Sequence, residues 1–249
     1  LKTHIELLNE ALTEPGKLMA AYTAFHRYSM GNQLLAMMQG ANSPINTYKG
    51  WQSLGRQVKK GSKAIELCMP VTITKEQEGD KDDVTFTRFI YRRNWFTLDQ
   101  TDGDEFTMPK VPDFDLDQVL KTFNIERISF NHTDGNVQGY AQGRKIAINP
   151  LAQLPFKTAI HEIAHIIHGH TDVTVHDTYT LPRDIQELEA EGTAYLVIAS
   201  LGLEGAEYCR GYIQNWVKDI SEESAKKIIA KADAILKAGT TTKTEKETL

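Results

Sequence analysis

Apolar residues recur along this chain with two different periods, and the change from one to the other outlines its elements. From Lys2 to Thr13 they fall three and four apart, the spacing of a helix with one buried face, and Pro15-Gly16 ends it. A second helical stretch is predicted over Lys17–Gln39, closed by the turn-forming run Gly40-Ala41-Asn42-Ser43-Pro44. Lys49–Lys63 reads as a short helix and loop punctuated by Gly50, Gly55 and Gly61. Ala64–Thr74 and Val84–Leu98 are rich in β-branched and aromatic residues and read as two strands, joined by an acidic hairpin loop over Lys75–Asp83. Asp99–Pro112 is polar, carries Pro109 and Pro112, and reads as a linker. Beyond it come a helix over Leu116–Phe123 and short strands over Glu126–Phe130, Gly135–Ala141 and Lys145–Asn149. Helices follow over Phe156–His168, Arg183–Leu201, Ala206–Ile220 and Glu222–Ala238. The pattern predicts an α+β chain of two domains, residues 1–105 and 113–238, with a flexible tail over 239–249.

Composition adds limits. Hydrophobic residues make up 41% of the 249, enough for a sizeable core, and no window approaches eighteen consecutive apolar residues, so no membrane span is expected. Leu1–Leu12 lacks the basic start and apolar run of a secretory signal. Cys68 and Cys209, the two cysteines, allow neither a disulfide framework nor a cysteine metal knuckle. A cytoplasmic protein is the expectation. The net charge of -5 hides a segregation: Gly16–Ile65 holds seven Lys or Arg residues and no Asp or Glu, while acids gather at Glu76–Asp83 and Asp99–Glu105.

The sharpest chemistry lies in His161-Glu162-Ile163-Ala164-His165, which fits the two-histidine zinc helix of zincin-type hydrolases. Four residues apart on a helix, both imidazoles reach one ion. Ile160, Ile163, Ala164 and Ile167 form the apolar stripe opposite them. Glu162 is the candidate general base for water activated by Zn2+. A third ligand is needed, and the metzincin extension is excluded because positions 168 and 171 are His168 and Thr171 rather than Gly and His. Glu187 and Glu191 share one inward face of the helix Arg183–Leu201 with Ala194 and Ile198. Glu187 is taken as the third ligand and Glu191 as the acceptor that orients a ligand histidine, two roles that spacing alone leaves interchangeable. Glu189 points away and is expected in solvent. His168 is expected to line the pocket. Tyr179, His176 and Tyr195 are candidate oxyanion donors, and Lys145–Asn149 a candidate edge strand for a peptide or protein substrate.

In the first domain, cations and aromatics interleave: Lys49, Trp51, Arg56, Lys59, Lys60 and Lys63 lie close together, with Tyr48 beside them, and Tyr91, Arg92, Arg93 and Trp95 recur on the second strand. Such a mixture suits single-stranded DNA, whose phosphates track cations and whose bases stack on aromatic faces. Equally, Trp51 and Trp95 suit a core.

Tyr28-Ser-Met-Gly-Asn32-Gln-Leu-Leu, Tyr48-Lys-Gly-Trp51 and Leu54-Gly-Arg56-Gln-Val-Lys-Lys-Gly61-Ser-Lys-Ala-Ile65 resemble the amino-terminal domain of ArdC-type antirestriction proteins. Phe96-Thr-Leu-Asp99-Gln100 is similar to the segment closing that domain. The histidine motif with Glu187-Leu-Glu-Ala-Glu191 resembles the family's metallopeptidase-like domain. The resemblance implies a single-stranded DNA-binding domain joined to a zincin-like domain, carried by mobile elements and phages, and protection of incoming DNA from restriction. Two departures stand out, a longer acidic insertion at Glu76–Asp83 and Gly192-Thr193 where a more hydrophobic run is expected. Alternatives remain a strand-coating protein with a structural metal, and a zinc peptidase that cleaves a host regulator.

Overall fold

A computed structural model describes residues 2–75, 84–172, 181–216 and 220–240. The acidic insertion and the end of the tail therefore fall outside the described residues. The chain is α+β and packs as two units, one formed by Leu1–Leu34 with Lys110–Leu249 and the other by Leu35–Pro109.

The larger unit is built around one buried helix. It contains α1 (His4–Ala11), α2 (Pro15–Phe25), α5 (Leu116–Thr122), strands β6 (Glu126–Arg127), β7 (Gly139–Gln142) and β8 (Lys145–Ile148), α6 (Pro155–His168), α7 (Arg183–Leu201), α8 (Ala206–Trp216) and α9 (Glu222–Thr240). Every residue of α7 from Leu188 to Ser200 is buried, because α2, α6, α8 and α9 all pack on it. Gly192 permits one of these approaches: a Cβ there would lie 3.0 Å from Ile228 of α9. That accounts for a small residue where a hydrophobic run was expected.

The packing units do not coincide with the expected domain division at 105–113. Residues 1–34 pack with the carboxy-terminal helices rather than with the rest of the first domain. Leu7, Leu8 and Ala11 are buried on a face of α1 that meets α9. The Tyr195 hydroxyl donates to the Ala11 carbonyl at 2.7 Å, and Arg210 donates to the carbonyls of Leu12 and Thr13 at 2.8 Å each. A reciprocal Thr3–Glu6 capping box starts α1.

The single helix expected over Lys17–Gln39 is two, α2 and α3 (Met30–Met38), broken at 26–29. The restart is held from α9, where the Asp233 carboxylate accepts from the Met30 N–H at 2.8 Å. A distant acid thus satisfies the first N–H of this helix.

The smaller unit holds β1 (Ile45–Thr47), α4 (Tyr48–Ser53), β2 (Arg56–Val58), β3 (Ile65–Lys75), β4 (Val84–Thr97) and β5 (Thr101–Gly103). Antiparallel β1-β4-β3 form one sheet and β2-β5 another. The expected linker at Asp99–Pro112 is therefore partly a strand: Thr101–Gly103 pairs with Arg56–Val58 and completes this unit. Asn94 is an extra residue where the β3–β4 register shifts between Ile65 and Glu66. Trp95, Ile65 and Leu67 enter the core near this bulge, while farther along the ribbon Phe86, Phe89 and Tyr91 are exposed.

In the larger unit's sheet the order is β6-β8-β7, with β8 parallel to β6 and antiparallel to β7. Lys145–Asn149 is consequently no edge strand. Residues 145–148 are central, and among the described residues β7 is paired only through β8.

Candidate metal centre

Helix α6 carries the motif because one of its faces is apolar and the other holds polar rings. Ile160, Ile163, Ala164 and Ile166 are buried, the last in place of the expected Ile167. Pro155 occupies the first turn, where a missing N–H costs nothing. Gly169 ends the helix in a left-handed conformation at φ 84°.

The opposite face brings His161 and His165 against Glu187 of α7. Their Nε2 atoms stand 3.1 Å apart, and Glu187 Oε2 lies 3.4 Å from the first and 3.6 Å from the second. Ligands about 2.0–2.1 Å from a tetrahedral ion stand about 3.4 Å from one another, so this triangle has the size a bound ion requires. Glu191 takes a different place: its Oε2 lies 2.8 Å from His161 Nδ1, on the far side of the ring from Glu187. Lys157, one turn before His161, holds the same carboxylate at 2.8 Å. The two glutamates that spacing left interchangeable are thereby separated. Glu187 faces the Nε2 tips, and Glu191 anchors one ring from behind.

The electrostatics agree with a site made for a cation. Burial opposes a charged His161, but its bonds to Glu187 and Glu191 outweigh that, and its pKa is pushed up to about 9. Hydrogen bonds to His161 and His165 hold the Glu187 carboxyl far below the ordinary range. Despite its burial, Glu191 is held down to about 2, chiefly by His161 and Lys157. Burial acts the other way on Glu162, raising its pKa, as suits a group that accepts a proton. Glu162 lines, with both histidines and Glu187, a cleft of about 750 Å3 whose other wall includes Gly139, Tyr140 and Ala141 of β7. The strand beside the site is thus β7, not β8.

Several residues lie elsewhere than expected. Glu189 is 1% exposed, not solvated, because α7 has no outer face along this stretch. Its Oε2 lies 3.0 Å from His170 Nε2 and 3.3 Å from His168 Nδ1. His168 does not line the cleft: it contacts Thr193 Oγ1 at 2.9 Å, which gives Thr193 a function at the second departure. Burial lowers the His168 pKa and keeps that ring neutral. Tyr195 is spent on Ala11, so it is not an oxyanion donor. His176 and Tyr179 lie outside the described residues. Sequence reasoning passed over Lys157, although its spacing of four before His161 marks it as a neighbour on the helix.

The basic segment divides in the same way. Trp51 is fully buried, donates to the Phe96 carbonyl at 2.8 Å and meets Phe106 edge-on, so no base can stack on it. Arg56 is a clamp, its guanidinium donating to Thr101 Oγ1 at 2.8 Å, to the Thr101 carbonyl at 3.1 Å and to the carbonyls of Gly103 and Asp104. Lys59 reaches the Asp99 carbonyl at 3.0 Å and Asp102 at 3.3 Å. Lys49, Lys60 and Lys63 stand exposed. Alternation along β4 sends Phe86, Arg88 and Arg92 to one face of the ribbon and Phe89, Tyr91 and Arg93 to the other.

Residues 9–105 match the family model for the N-terminal domain of anti-restriction factor ArdC. Two solved structures of the antirestriction ArdC protein from R388 plasmid share the fold. The metal-free one has a TM-score of 0.59 at 18% identity over 96% of this chain and 98% of that one. The Mn(II)-bound one has a TM-score of 0.58 at 18% identity over 98% of this chain and 100% of that one. A search of curated proteins finds no match. Residues 9–105 are thus similar to the ArdC N-terminal domain, and the two solved structures show the fold of the chain.

Proposed function

We propose that this chain is an antirestriction-type protein of a mobile element or phage. It holds single-stranded DNA through the Leu35–Pro109 unit and carries a metal-dependent, zincin-like peptidase centre on α6 and α7. The observation that carries the second half is the convergence of two Nε2 atoms and one carboxylate oxygen within 3.1–3.6 Å, beside the buried Glu162. Once both imidazoles are neutral, two nitrogen lone pairs and a carboxylate oxygen aimed at one point repel one another unless a proton or a metal cation lies between them, and the donor set fits a divalent ion. His161, His165 and Glu187 would hold it. Zn2+ suits two nitrogens and one oxygen, and the Mn(II)-bound ArdC structure makes manganese the competing identity.

Such an ion supplies Lewis acidity and an acidified water. The chain's own residues do the rest. Glu162 takes a proton on its carboxylate and returns it to the leaving amine, helped by the burial that raises its pKa. Glu191 keeps the Nε2 of His161 aimed at the site, and Lys157 neutralises Glu191. Among the described residues no strand pairs with the outer edge of β7, whose backbone groups can pair with an extended peptide. Glu162→Gln tests the assignment: metal content should match the parent while hydrolysis of a casein or peptide-library substrate falls by at least the 10²–10⁴-fold typical of a lost general base, about. Equal hydrolysis in the two proteins would refute the role.

A second reading, a strand-coating protein whose metal is structural, is favoured by the exposed aromatics and arginines of the β3–β4 ribbon. Protection of transferred DNA that survives Glu162→Gln but not the combined reversal of Lys60 and Lys63 would select it.

A further inference from the structure

Resting on the metal-centre reading above, we propose that His170 and Glu189 are positioning residues that lock His165 in the tautomer and orientation a metal ion needs. The relay begins at the carboxy-terminal cap of α6. His170 N–H bonds to the His165 carbonyl at 3.0 Å and Gly169 N–H to the Ile166 carbonyl at 3.1 Å, with Gly169 left-handed. This is the Schellman arrangement, which brings the residue after the glycine back over the helix's last turn, ordinarily for an apolar contact. Here both partners are histidines. His165 Nδ1 and His170 Nδ1 stand 3.0 Å apart with their rings edge to face, and His170 Nε2 reaches Glu189 Oε2 at 3.0 Å.

Proton positions follow from the order of these contacts. A metal at His165 Nε2 needs that lone pair, so the ring's proton sits on Nδ1 and is donated to His170 Nδ1. His170 must then carry its own proton on Nε2, where the Glu189 carboxylate accepts it. The same Glu189 oxygen lies 3.3 Å from His168 Nδ1, so two rings fix its position. Each ligand histidine is therefore backed by a glutamate of α7, His161 directly by Glu191 and His165 at one remove by Glu189. His168, stacked on His170 at 5.2 Å between ring centroids, walls the relay.

His168, His170 and Glu189 also form a compact donor group, with one ligand atom from each lying within 4.8 Å of the others, and a second ion is the rival explanation. The relay is the better account because it links the cluster atom by atom to His165. It also gives His170 a partner at both ring nitrogens without an ion.

The test uses the full chain, titrated with Zn2+ against a chromophoric chelator, and ¹⁵N-histidine NMR of the loaded protein. His170→Phe should weaken Zn2+ by about 10–100-fold, as loss of an outer hydrogen-bond partner does. It should also abolish the slowly exchanging His165 Nδ1–H signal, a change that general loosening of the fold would not confine to one ring. Glu189→Gln keeps an acceptor but no charge and should fall between parent and His170→Phe. Gly169→Ala strains only the left-handed φ, its Cβ meeting nothing within 4 Å, and should move both readouts in the same direction if His170→Phe fails to fold. Unchanged Zn2+ affinity and an unchanged His165 signal, in a parent that binds one ion through His161 and His165, would overturn the relay alone. Two ions in the parent, falling to one in His170→Phe, would replace it with a second metal site. No binding by the parent would remove the metal-centre reading and the relay together.

Discussion

The α6–α7 pair and the β3–β4 ribbon both concentrate charged and aromatic side chains, and they treat them in opposite ways. Along α6 and α7, four glutamates, four histidines (His170 just past the cap) and Lys157 lie in a mostly buried group, all but Glu162 within hydrogen-bond or ion-pair distance of a neighbour. On the ribbon, Phe86, Phe89 and Tyr91 stand at 46, 67 and 40% exposure among exposed arginines. The first arrangement tolerates no adjustment and suits a small ion whose ligands must sit within tenths of an ångström. The second leaves long side chains their rotamers and suits a polyanion gripped without regard to sequence. Burial with partners makes a site; exposure without a fixed geometry makes a surface.

The largest effect expected comes from breaking the rigid side of this contrast. His165→Ala removes a proposed ligand rather than a supporting group, so the loss of Zn2+ affinity should exceed the about 10–100-fold of an outer partner, measured by the same chelator competition. Next is Trp51→Ala, which should lower stability by about 3–5 kcal/mol in denaturant titrations because it empties a fully enclosed site. DNA affinity should fall only in step with unfolding. A Trp51 variant that stays folded yet loses DNA would blur the contrast.

pH sharpens it. In the metal-free chain His161 titrates at about 9, above its ordinary 6.5. The fold thus favours the charged ring, and this contribution to stability is full below about 6.5 and lost as pH rises through about 9. Metal binding has the opposite sign, since it needs the neutral ring: Zn2+ affinity should rise roughly tenfold per unit up to about pH 9 and then level, with about one proton released per ion by calorimetry in two buffers. The ribbon uses neither His161 nor the metal centre, so DNA binding should not follow the same curve.

Why some of this could be read from the amino acids and some could not has a physical basis. His161 and His165 are linked by helix periodicity, and one turn of chain sets their relation. Glu189 was misread because a helical wheel assumes a wet side, and α7 has none between Leu188 and Ser200. His170 lies past the helix end, where only the Schellman turn at Gly169 makes it a neighbour of His165. Asp233 caps α3 from some two hundred residues away, and no local pattern announces that. Composition placed Trp51 and Arg56 among DNA contacts because charge and aromaticity are the same whether a side chain is satisfied inside or waiting outside. The cluster itself was legible; its wiring depends on tertiary contacts.

The smallest effects belong to the ribbon. Phe89→Ala removes an exposed ring and should alter stability by no more than about 0.5 kcal/mol. If a base stacks on it, affinity for a single strand should drop by about 1–3 kcal/mol, read by fluorescence anisotropy with a labelled oligothymidine. Arg92→Gln should change less at any one salt concentration, and its signature is a slope. Each phosphate contact on a single strand contributes about 0.7 to the fall of log affinity with log salt, so this variant should flatten the line by about that amount. The pair is informative because the two side chains leave β4 on opposite faces. If both substitutions weaken binding, the strand wraps the ribbon; if only one does, it lies along that face. If neither does, Lys49, Lys60 and Lys63 carry the contact and the ribbon's aromatics serve something other than DNA.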